Sequence, residues 1–129
     1  MNPNQWIPSF RQTILDFLSG VVSIEEHRVW QANPERNGYM LELMQWLIED
    51  FAFTTDSKCS IDSYLYDESE LESVATFSRL VEQVGDRIGW HVADATWLLQ
   101  PEWSDIEGLA NDALQVMHEN DAQGVHETI

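Results

Sequence analysis

A chain of 129 residues with 23 Asp and Glu against six Lys and Arg carries a formal charge of −17. So few cations exclude direct binding to nucleic-acid phosphates or to anionic membrane surfaces as the main activity. The content of 43% hydrophobic residues, six of them tryptophan, excludes a disordered acidic chain.

The length suits one domain that buries about two-thirds of its extended surface. We assign the domain to 1–119 and a flexible tail to 120–129, where the periodicity stops. Cys59 stands alone, so no internal disulfide forms, and a reducing, cytoplasmic setting is expected. No basic region followed by an apolar block opens the sequence, and no later run is long enough to span a bilayer.

In chain order, Asn4 to Ser19 reads as a first helix with Ile7, Phe10, Ile14, Phe17 and Leu18 along one stripe, Pro8 in its first turn and Gly20 as its stop. Ser23-Ile24-Glu25-Glu26 is a capping-box pattern that opens a short helix to about Gln31, which Asn33-Pro34 ends. Gly38 to Phe53 then carries Met40, Leu43, Met44, Leu47, Ile48 and Phe51 at helical spacing, with further apolar residues around its girth. This segment is expected to be the central helix, with Trp46 in the core. Ile61 to Tyr66 is the one stretch with strand character. Glu68 to Ile88 is a long helix capped by Asp67 and closed by Gly89, and its stripe is Leu71, Val74, Phe77, Val81, Val84 and Ile88. Asp94 to Leu99 makes one or two turns. Pro101 starts the last helix, with Ile106, Leu109, Ala110, Ala113 and Met117 buried. The fold class expected is mainly α: a single-domain bundle of about five helices around a central helix, with at most a minor β element near 61–66.

No catalytic, cofactor or metal signature rises above background. Glu42 and Glu49, and Glu82 and Asp86, share helix faces as the carboxylates of a magnesium site would, but solvated acidic faces explain them better. His27, His91, His118 and His126 lack zinc-site spacing, although Asp94 stands where it could orient His91. Cys59 beside Lys58 has no motif around it. Trp30, Trp46, Trp90, Trp97 and Trp103 are core residues first and binding anchors second.

The charge is uneven. From Glu42 to Glu72 nine carboxylates accompany one cation, Lys58, and no Lys or Arg follows Arg87. A negative field of this size attracts basic proteins and speeds their association.

With Arg28-Val29-Trp30 ending an early helix and Leu99-Gln100-Pro101-Glu102-Trp103 leading into the last one, the chain resembles, over roughly 10–117, the small acidic helical immunity proteins of contact-dependent growth inhibition and related toxin systems. The segment FTTDSKCS after the central helix departs from that pattern. The resemblance implies a non-enzymatic protein that neutralises a cognate toxin in the cytoplasm, without cofactor. A basic, nucleic-acid-targeting toxin domain matches the charge. The expected partner-binding residues are Glu49, Asp50, Asp56, Asp62, Asp67, Glu68, Glu70 and Glu72, with Tyr64 and Tyr66 as anchors. Two alternatives stay open: an acidic adaptor or homo-oligomeric structural protein pairing through the 61–66 edge, and a magnesium-dependent helical nucleotide pyrophosphatase.

Overall fold

The computed structural model describes residues 7–50 and 64–122, so the expectations for Asp56, Cys59, Asp62 and His126 lie outside the described residues. The fold is mainly α: α1 (Pro8–Val22), α2 (Ile24–Ala32), α3 (Tyr39–Met44), α4 (Glu68–Ile88), α5 (Asp94–Leu98) and α6 (Trp103–Ala122), with no strand among the described residues.

Pro8 opens α1, where its missing N–H would have had no helical partner. The expected stop at Gly20 is overrun, and α1 continues to Val22. Gly20 is needed there for space: a Cβ at this position would enter the Tyr39 ring and hydroxyl. Gly85 plays the same part in α4, where the Trp90 indole occupies the room of the absent side chain. Gly20→Ala is expected to cost about 1–2 kcal/mol, the strain of overpacking outweighing alanine's better helix propensity. Urea unfolding of the single variant measures it; a variant as stable as the parent would show that Tyr39 swings away freely.

Ser23 caps α2 by accepting from the Glu26 N–H at 3.2 Å. Only half of the capping box forms, because the Ser23 N–H bonds to the Gly20 carbonyl and the Glu26 carboxylate accepts from the Trp30 indole instead. Asn33-Pro34 ends the helix as the sequence indicates.

The segment read as one α-helix over 38–53 changes character within its described part. α3 passes into a π-helical turn, Gln45–Asp50. The wider turn keeps Met40, Leu43 and Leu47 on the buried side and leaves Trp46 and Ile48 half-buried, which corrects the placement of Trp46 in the core. Nor is this segment the centre of the fold. α6 is the hub, packing along both α4 and α1. Its inner face alternates Ala110 and Ala113 with Ile106, Leu114 and Met117, and the small residues let two neighbours approach while the large ones interlock.

α4 matches its predicted span, with Asp67 accepting from the Glu70 N–H at 3.0 Å and Gly89 at φ 93° closing it. α6 begins at Trp103, two residues later than expected, and its last turn includes Asn120 and Asp121, which were assigned to the tail.

Candidate functional site

Of the residues expected to bind a partner, Glu49, Asp50, Asp67, Glu68 and Glu72 are exposed. Glu49 and Asp50 end the π-helical turn, and the other three lie at the start of α4. Glu72 stands 3.8 Å from Arg79, an exposed pair that contributes little to stability.

Glu70 and Tyr64 are corrections. Glu70 is 0% exposed and Tyr64 is 7% exposed, so neither presents its side chain to a partner. Both belong to a buried network centred on Arg11. The guanidinium grips the Glu70 carboxylate with two parallel bonds of 2.8 and 2.9 Å, donates to the Tyr64 and Met117 carbonyls at 3.1 Å each, and donates from Nε to Asp121 at 3.1 Å. All five guanidinium N–H groups are thereby used. Glu70 also accepts from the Tyr66 N–H at 2.7 Å and the Asn120 amide at 2.9 Å, which fills its four lone-pair positions. Tyr66, half-buried, lies with its ring 4.1 Å from the guanidinium carbon. Burial acts to lower the Arg11 pKa, but the Glu70 bonds and the nearby carboxylates outweigh it and raise the value above the ordinary one.

The same bonds explain why 64–66 makes only an isolated bridge, at Leu65, and no strand. Arg11 takes the Tyr64 carbonyl and Glu70 takes the Tyr66 N–H, so at these two groups side chains do what a neighbouring strand would have done. Both Tyr64 and Leu65 turn inward, where alternation would have sent them to opposite faces.

A second buried carboxylate organises the other end of the bundle. Asp94, 1% exposed, accepts from the Tyr39 and Met40 N–H groups at 3.1 Å each. It thus caps α3, whose own cap residue, Gly38, has no side chain to do so. Asp94 is therefore engaged with α3, and His91 is exposed. His27 packs into the fold, with Nε2 2.6 Å from the Val21 carbonyl and its ring against Trp30 and Trp103.

Between α1 and α3 lies a cleft of about 290 Å³ lined by Thr13, Asp16, Phe17, Tyr39, Glu42 and Trp46. The Tyr39 hydroxyl donates to the Phe17 carbonyl at 2.8 Å, which fixes its ring edge-on to Phe17. Burial, followed by the carboxylates of Glu26, Asp16, Asp94 and Glu42, raises the Tyr39 pKa well above that of a free phenol. Among the described residues, no three His, Cys, Asp or Glu side chains converge as a metal site needs, and no helix is long and apolar enough to cross a membrane.

The sequence gives Arg11 no role and assigns Glu70 to the binding surface and Asp94 to His91, where the structure makes all three buried anchors. The signal was present: each is a charge at a position where its helix should be apolar. Arg11 stands three residues before Ile14 and seven before Leu18, and Glu70 stands four before Val74 and seven before Phe77.

The profile of a family described as a domain of unknown function (DUF7945) matches residues 5–124. No curated protein and no solved structure matches the chain.

Proposed function

The chain belongs to the DUF7945 family, a domain of unknown function, and we propose, on its acidic surface and the resemblance of its sequence motifs, that it is an immunity-type inhibitor, which binds a basic, nucleic-acid-targeting toxin domain in the cytosol and neutralises it without catalysis. The observation that carries this reading is the set of exposed carboxylates left without a cation. Of the described cations, Arg11 is enclosed, Arg79 and Arg87 face Glu72 and Glu102, and Arg28 and Arg36 are exposed without an ion pair among the described residues. The carboxylates of Glu49, Asp50, Asp67 and Glu68 stay in water with no ion pair among the described residues. Such a surface steers a basic domain and competes with phosphates for its cleft. The burial of Tyr64 and Leu65 weighs against the adaptor reading, which needs the apolar side of 61–66 to pair between chains.

Co-purification of the tagged protein from its native cells at moderate salt, with mass spectrometry of what remains bound, tests the proposal. A stoichiometric basic domain that is toxic when expressed alone is expected; recovery of the chain alone removes the basis for it. With that domain in hand, replacing Glu49, Asp50, Glu68 and Glu72 by Lys is expected to slow association at least about ten-fold and flatten its salt dependence in stopped-flow mixing. Unchanged association would place the interface elsewhere.

A further inference from the structure

We propose that the cleft between α1 and α3 is a receptor for one arginine or lysine side chain of a protein partner. Its walls are aromatic, from Phe17, Tyr39 and Trp46, and two carboxylates, Asp16 and Glu42, stand among them. Aromatic faces and carboxylates together are what a long cationic side chain seeks: the rings cover its apolar stem and attract its charge, and the carboxylates bond its head.

Three further observations point the same way. Among the described residues, Glu42 has no hydrogen-bond or ion-pair partner, and Asp16 has only the Gln12 amide at 2.8 Å, so both exposed carboxylates keep acceptor capacity. The Tyr39 hydroxyl is spent on the Phe17 carbonyl, and it is held neutral by burial and by those same carboxylates. Tyr39 therefore offers its ring, in a site whose charge is wholly negative. Lastly, Trp46 enters from the π-helical turn, a distortion that recurs at functional positions and that here leaves the indole half-buried at the edge of the core. At about 290 Å³ the cleft is just below the roughly 300–1,000 Å³ usual for small-molecule pockets, a size that suits one side chain.

The proposal rests on the partner-binding reading for the source of the cation, and the two are separable by experiment. The ¹⁵N-labelled full chain is titrated with N-acetyl-arginine methylamide, N-acetyl-lysine methylamide and, as a neutral control, N-acetyl-glutamine methylamide, following the Trp46 indole N–H by NMR. A saturable shift with at least one of the cationic amides and none with glutamine is expected. Glu42→Gln and Asp16→Asn, both at exposed positions, should each weaken it about ten-fold, whereas Asp112→Asn, beside a separate groove on α6, should leave it unchanged. The absence of saturation with both cations, an equal response to glutamine, or indifference to both carboxylate variants overturns the cleft. Saturable binding in a protein that recovers no basic partner from cells keeps the cleft and discards toxin neutralisation. A recovered partner whose affinity ignores Glu42→Gln and Asp16→Asn discards the cleft alone.

Discussion

Glu70→Ala is expected to lower the unfolding free energy by about 3–5 kcal/mol, the cost of taking from a buried charge its buried counter-ion and leaving it only the part-exposed Asp121. The whole stability of a domain this size is about 5–15 kcal/mol, so the variant should sit near the edge of folding. The loss falls on several groups at once. Two buried guanidinium N–H groups and the half-buried Tyr66 N–H lose their acceptor, and the Asn120 amide is left with Asp67 alone, at 3.4 Å. Glu70→Gln is expected to do almost as badly, because its amide turns a donor toward the donors of Arg11. The pair Arg11→Met with Glu70→Leu should recover about half of the loss, since removing both charges also removes their desolvation cost. Recovery stays partial because the Tyr64 and Met117 carbonyls lose their donor. Urea unfolding of the three variants decides it. A Glu70→Ala loss below about 1 kcal/mol would mean that the carboxylate reaches water after all.

Asp94→Ala comes second, with an expected loss of about 2–3 kcal/mol from two charge-assisted bonds to backbone N–H groups. Asp94→Asn keeps one acceptor and should lose about half as much. The effect should also be local. Amide exchange at Tyr39 and Met40 is expected to rise in the alanine variant far more than exchange in the middle of α4. Uniform acceleration along the chain, or none at α3, would show that Asp94 is not the cap of that helix.

Much of this architecture is written in short-range patterns. α4 is legible to the residue because an acidic cap, a regular stripe and a closing glycine agree with one another. α1, α2, α5 and α6 were readable with shifts of one to four residues at their ends. The centre of the bundle was not, because hydrophobicity around a helix says how much it buries and not which neighbours it meets. Gly38 to Phe53 is the most apolar segment, yet α6, with its alanines, is the hub. Gly20 misled for a related reason: the pattern of a stop is the same as the pattern of a close approach, and only Tyr39, 19 residues later, distinguishes them. For the site, the exposure of Glu49, Asp50, Asp67, Glu68 and Glu72 was legible, because none of them falls on the apolar stripe of its helix. Glu70 was counted with them because proximity in sequence outweighed its position on the buried stripe. The cleft between α1 and α3 was out of reach, since it depends on a π-helical turn and on the packing of two segments more than 20 residues apart.

The bonds from Arg11 to Glu70 and Asp121 join residues 59 and 110 positions apart. Such closures pay their loop entropy before they gain their bonds, so the network is expected to form after the rate-limiting step of folding. Interactions formed after that step act on the rate of leaving the native state and hardly on the rate of reaching it. On that expectation Glu70→Gln speeds unfolding and leaves refolding nearly unchanged in stopped-flow urea jumps, and Arg11 works as a latch on the lifetime of the folded chain, tying a first helix to the final turn of the last.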